Sequence, residues 1–221
     1  MRGRALVALA GLGFVLVALA TPRIVSGALI FPHEPVMRLV QRGAEIPIDQ
    51  LVAARRAYEA AIAWHAGANE RAGLASLRRR LGLALGAASP AGRAVLESAR
   101  DAEREALATT PADPYLWAQL AETERIIDGP GPRFVEALMR SVATGPYEPS
   151  LVTLRAALGV EAWTVLNESA RTRIAEQVRA AAVLQPNGLR RAITDPLRRR
   201  LVAEILEGEP GLYARFRGEA P

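Results

Sequence analysis

Three times in this chain a serine or aspartate, able to cap a helix, stands directly before a proline: Ser89-Pro90, Asp113-Pro114 and Asp195-Pro196. Each pair is a helix start. The Ser or Asp oxygen accepts from an N–H that the first turn leaves unsatisfied, and a proline at the first helical position has no N–H to waste. Gly131-Pro132 and Glu148-Pro149 give the signal in weaker form, and Asp49 after Pro47 opens another helix. Gly67, Gly86, Gly129, Gly145, Gly159 and Gly208 follow apolar-periodic stretches and close them. Between these marks apolar residues return at helical spacing: Leu51, Ala54, Tyr58 and Ile62; Phe134, Leu138 and Val142; Ala170, Ile174 and Val178; Leu197, Leu201 and Ile205. No stretch alternates with period two for long enough to make a strand. The predicted helices are 36–42, 49–66, 69–86, 90–109, 114–127, 132–143, 149–158, 161–183, 188–194 and 196–207. The fold class is all-α, built of antiparallel helical hairpins behind an N-terminal apolar helix.

Composition agrees. Half the residues are hydrophobic and 23% charged, a balance that folds, while aromatics are only 5%. Leu, Val, Ile and Ala must then fill the core, which suits helices that approach closely through alanine. Cysteine is absent, which removes disulfides, thiolate catalysis and cysteine-held metals. His33 and His65 are too few and too far apart for a histidine metal site, so neither a metal nor a cofactor is expected. All 28 basic residues are Arg; two of them precede the apolar run, leaving a net +3 on the rest. Without interleaved aromatics or a concentrated stripe, that charge does not point to nucleic acid.

Ala5 to Ala20 is an unbroken run of small and apolar residues behind Arg2 and Arg4, followed by Thr21-Pro22-Arg23. Sixteen residues sit at the short edge of what crosses a bilayer, and Pro22 is expected to stop the helix. Two readings stand. Ala18-Leu19-Ala20 fits a signal-peptidase site, whereas the apolar stretch Ile24 to Phe31 beyond Pro22 fits an uncleaved anchor with its basic end in the cytoplasm. Both put the bulk of the chain in the periplasm, the first as a secreted protein. The expected divisions are 1–23 as anchor or signal, 24–48 as a juxtamembrane linker with a short helix, and 49–217 as the helical domain.

The start signals recur at a fixed interval. Pro111 lies six residues before Trp117 and Pro146 six before Val152, the two prolines being 35 residues apart. Trp117-x-x-Leu120-Ala121 aligns with Val152-x-x-Arg155-Ala156. This spacing and the Trp-x-x-Leu-Ala core resemble the tetratricopeptide repeat, a helical hairpin of 34 residues. Glu124 stands where that family prefers tyrosine, Arg155 where it prefers leucine, and one residue is inserted around Gly129-Pro130-Gly131. One recognisable repeat, 114–146, is flanked by degenerate pairs. The resemblance implies a short tetratricopeptide-like solenoid that scaffolds protein partners rather than a catalyst. A weaker one covers Pro111 to Ala121, Ser141 to Glu148, and Arg155. These segments look like small anchored helical proteins of alphaproteobacteria associated with cell-surface polysaccharide assembly, which supplies a setting.

Trp117 and Trp163 are expected in the core, Trp117 because the repeat buries its large residue there. Arg78-Arg79-Arg80 reads as a solvated helical surface. Arg190, Arg191, Arg198, Arg199 and Arg200 would gather positive charge on two neighbouring short helices, next to Glu204, Glu207 and Glu209, as a surface for anionic lipid or an acidic partner. His65 caps a helix end, and His33-Glu34 lacks the companions of a catalytic dyad. Tyr115, Glu124, Tyr147, Glu148 and Arg155 are the candidates for a partner-binding surface, with Glu148 and Arg155 expected as an ion pair. No nucleophile elbow, phosphate loop, dinucleotide fingerprint or His-Glu-x-x-His occurs. The expected function is non-enzymatic: an inner-membrane-anchored scaffold holding another envelope protein. The alternatives are a periplasmic glycan-binding protein or enzyme, and a structural subunit of a larger membrane complex.

Overall fold

The computed structural model describes residues 2–219, with side chains from Leu16 onward. It is all-α, and among the described residues there is no strand. The chain folds as two compact units, Met1–Ala106 and Leu107–Pro221.

The first unit begins with α1 (Arg2–Ile30), a turn of 3₁₀ helix at Phe31–His33, and α2 (Glu34–Gln41). Then come α3 (Ile48–Trp64), α4 (Ala68–Ala84) and α5 (Pro90–Thr109), the last running across the division between units. Ile46, Leu51, Ala54, Tyr58, Leu74, Leu77 and Leu81 form the core, with Ile30, Met37, Val40 and Ile62 packed against it. The expected break at Pro22 does not occur. Proline removes one backbone hydrogen bond, but Thr21 Oγ1 donates to Val17 O at 2.7 Å and the helix continues for two more turns. Those turns are held because α1 packs on α3, with Ser26 fully buried and Ile30 against the core. Upstream, Leu16, Val17, Leu19 and Ile24 are exposed. The segment Leu16–Gln41 is long and apolar enough to cross a membrane, and few of its residues are fully buried.

The second unit contains α6 (Pro114–Asp128), α7 (Pro132–Thr144), α8 (Val152–Glu161) and α9 (Glu168–Leu184), followed by α10 (Pro186–Ala192), α11 (Pro196–Leu206) and α12 (Pro210–Arg217). Neighbours in sequence pair in space: α6 with α7, and α8 with α9, while α10 and α12 close over α9. Phe134, Leu138, Leu116, Ile174, Leu189 and Leu206 are among its buried side chains. Gly159 of α8 lets α9 approach, since a Cβ there would run into Ile174.

The capped prolines behave as read. Asp113 accepts from the N–H groups of Tyr115 (2.8 Å) and Leu116 (3.2 Å), Asp195 from Arg198 N–H (2.9 Å), and Ser89 Oγ from Gly92 N–H (2.9 Å). Three expectations need correction. The stretch read as one helix at 161–183 is divided: α8 ends at Glu161, a 3₁₀ turn covers Trp163–Val165, and Asn167 starts α9 by accepting from Ala170 N–H at 2.9 Å. α11 buries Val202 and Leu206 rather than the face of Leu197, Leu201 and Ile205, which leaves Leu197 78% exposed. Neither Trp117 nor Trp163 belongs to the core. Both are half-buried: Trp117 donates through Nε1 to Pro111 O at 2.8 Å beneath Arg140, and Trp163 lies beneath Arg171.

Candidate functional site

The cap at Asp113 fixes the first turn of α6 and with it Tyr115, whose side chain points at the turn between α7 and α8. That turn is tight: Glu148 N–H donates to Gly145 O at 3.2 Å and Leu151 N–H to Glu148 O at 3.1 Å. It places Ser150 between a carboxylate and a phenol. Ser150 Oγ lies 2.8 Å from Glu148 Oε1 and 2.7 Å from Tyr115 Oη. The carboxylate can only accept when ionised, so the protons run from Tyr115 to Ser150 to Glu148. The Glu148 carboxylate at the end of this relay favours the protonated phenol and pushes Tyr115 above its ordinary value of 10.0. Tyr115, acting through Ser150, and Ser150 itself hold the Glu148 carboxyl below the usual carboxylate range.

Beneath this surface lies Arg155, fully buried in α8. Its Nε donates to Ser141 Oγ (3.0 Å), one terminal nitrogen to Gly145 O (2.7 Å) and the other to Ser141 O (2.6 Å). Ser141 Oγ in turn donates to Pro114 O at 2.7 Å, at the start of α6. One guanidinium thus ties the C-terminal end of α7, where unpaired carbonyls concentrate negative potential, to α8 and, through Ser141, to α6. Burial pushes its pKa down to about 10, and Glu148 and Tyr115 oppose the fall. It remains charged at neutral pH. The expected Glu148–Arg155 ion pair is not a contact: the donors of Arg155 go to Ser141 and Gly145, and Glu148 acts on it only through space.

The five candidates for partner binding therefore separate. Tyr147 is 91% exposed at the head of the turn, Tyr115 is 43% exposed, and Glu148 is bonded beside them. Glu124 is buried in α6, lining a small cavity of about 300 Å³ with Phe134 and Pro132. Arg155 supports the surface from below. Ser141 and Ser150, which join these residues, carry no distinctive signal in the sequence, because serine beside a helix end has many roles. No family model, curated protein or solved structure matches this chain.

Most of the arginine candidates have partners of their own, and Arg199 also reaches Arg190 O at 3.5 Å. Arg199 donates to Ile193 O at 2.8 Å, Arg190 bonds Asn187, Arg200 pairs with Glu204 at 3.2 Å, and Arg198 approaches Glu161 at 3.9 Å. Arg191, Arg198 and Arg200 stay exposed, as does Leu197. In the other triplet, Arg78 pairs with Glu59 at 3.1 Å and Arg80 donates to Gly43 O at 2.9 Å, so these half-buried side chains fasten α4 to its surroundings within the first unit.

Proposed function

We propose that this chain is a membrane-anchored scaffold whose helical pairs, tetratricopeptide-like in character, present a surface to another protein of the cell envelope. The observation that carries the reading is the turn at Gly145–Leu151. A large aromatic, Tyr147, stands in solvent on a turn made rigid from below by Arg155 and from the side by Tyr115, Ser150 and Glu148. An aromatic side chain has few torsions to lose on docking when its backbone is already fixed, and such residues dominate binding at interfaces. The apolar N-terminal helix supplies a tether that raises local concentration, so a modest surface suffices. The periplasmic side of the inner membrane and a place in surface-polysaccharide assembly extend this reading from the N-terminal charges and the sequence resemblance.

The test is a photo-crosslinking amino acid at position 147, with a second at exposed Arg173 as control. The scaffold reading expects one discrete adduct with an envelope protein from position 147, weakened about tenfold or more by Tyr115→Ala in the same chain. Equal labelling from both positions would overturn it. A phosphatase reporter fused after Pro221 reads the side of the membrane, being active only outside the cytoplasm.

A further inference from the structure

Three tryptophans occur in the chain, and two are sheltered: Trp117 lies beneath Arg140 and Trp163 beneath Arg171. Trp64 is different. It is the last residue of α3 and is 55% exposed, three positions after the fully buried Ala61. What it faces follows from the directions of the helices around it.

Contacts within the first unit fix those directions. Glu34 and Glu70 line one cleft, together with Gly27 and Tyr58. Further along both helices, Arg80 donates to Gly43 O at 2.9 Å. From Glu34 to Gly43 and from Glu70 to Arg80 the chain advances the same way, so α2 runs parallel to α4. α3 runs against both, because the short turn from His65 to Gly67 folds it onto α4. α1 passes into α2 through one 3₁₀ turn, with helical backbone angles at Ile30 and Glu34, and packs along α3. Hence α1 is antiparallel to α3. Its upstream part, where Leu16, Val17 and Leu19 are exposed, projects past the end of α3 that carries Trp64.

The levels agree. Tyr58 lies across the cleft from Gly27 to Phe31. Trp64 stands six residues beyond Tyr58, about 9 Å further along α3. An equal step back along α1 reaches Thr21 to Val25. From the other end, Ala5 to Pro22 makes about 27 Å of helix, close to the roughly 30 Å of a bilayer's hydrocarbon core. Arg23, which is exposed, is the first charge after that apolar run. Both measures bring Trp64 to the depth where the apolar segment ends. That depth is the one an indole prefers, with its ring towards the acyl chains and its N–H towards water and head groups.

We propose that Trp64 is a membrane-interface anchor: the end of the first unit formed by the α3–α4 turn rests on the head-group layer of the bilayer that α1 crosses. This contact exists only if α1 is the membrane anchor. With it, the first unit is held to the lipid surface at two points, the apolar helix and the indole.

The full chain is labelled with fluorotryptophan and placed in bicelles of phosphatidylcholine and phosphatidylglycerol, where Trp64→Phe assigns the ¹⁹F resonance of Trp64. A phosphatidylcholine spin-labelled near the head-group end of its acyl chain is then added. The comparison is Ile48→Trp, which puts a further fluorotryptophan at an exposed position about 24 Å away at the opposite end of α3. A helical circular-dichroism spectrum verifies that this variant folds. The lipid label is expected to relax the Trp64 resonance roughly tenfold more than that of position 48. In the unmodified chain, a water-soluble gadolinium chelate is expected to relax Trp64 less in bicelles than the lipid label does. Flotation of the same chain with vesicles reads the anchor separately. A chain that floats while Trp64 and position 48 respond equally to the lipid label, or while the chelate is the stronger relaxant of Trp64, overturns the interface contact and leaves the anchor standing. A chain that does not float overturns both.

Discussion

At the scale of single residues, Arg155 replaces an apolar contact with a hydrogen-bonded staple. Arg155→Met fills the space but leaves the carbonyls of Ser141 and Gly145 buried without their donor, and it should cost about 2–3 kcal/mol of unfolding free energy. Arg155→Lys keeps the charge, forfeits the fork and should lose less. Urea denaturation of the three proteins orders them. At the surface, Tyr115 and Glu148 titrate as partners. Glu148 has a depressed folded pKa, so its contribution to stability is present above the ordinary carboxylate range and is lost as pH falls through the depressed value. Tyr115 is the opposite case. Its raised folded pKa makes its contribution complete below 10.0 and lost as pH climbs through the raised value. In Glu148→Gln, an NMR titration of labelled tyrosines should return Tyr115 towards 10.0. A Tyr115 midpoint unmoved by that change would show the relay to be absent. The sequence reveals Arg155 as a departure from the repeat pattern and offers Tyr115 and Glu148 as candidates for the surface. It does not reveal which is buried, because burial of Arg155 depends on the orphan carbonyls at the end of α7, a property of the packed hairpins and not of the residue.

At the scale of elements, boundaries were legible wherever side chains satisfy backbone groups locally. Asp113, Asp195 and Ser89 cap their helices by bonds that span two or three residues, so pattern and structure agree. Asp113→Ala should destabilise the second unit by about 1 kcal/mol, read from its thermal midpoint. Legibility fails where tertiary packing decides. The end of α8 at Glu161 and the restart at Asn167 interrupt a stretch with good helical periodicity throughout. The buried face of α11 is set by Val202 and Leu206 meeting α8, α9 and α12. Gly159 shows the same dependence: in the sequence it reads as a helix end, and in the fold it is a point of close approach inside α8. Gly159→Ala should therefore cost about 1–3 kcal/mol through overpacking against Ile174, although alanine is the better helix former. A stabilised variant in chemical denaturation would contradict the close approach.

At the scale of the molecule, the apolar N-terminal helix is the feature that distinguishes this chain from a free-standing helical domain. The full chain should remain with membranes after alkaline carbonate extraction, and a chain lacking residues 2–23 should be released. Extending the deletion through Phe31 removes Ile30 and Ser26 from the first unit, and should also shift that unit to a protease-sensitive form, unlike the shorter deletion. Pro22, expected to stop the helix, is instead carried inside one continuous rod that ends in the core of the first unit. A rod without a swivel works as a lever. Wherever its upper half is seated in a bilayer, the azimuth and lean it adopts there are imposed on the first unit, so insertion fixes which side of that unit faces the lipid and which faces a visitor.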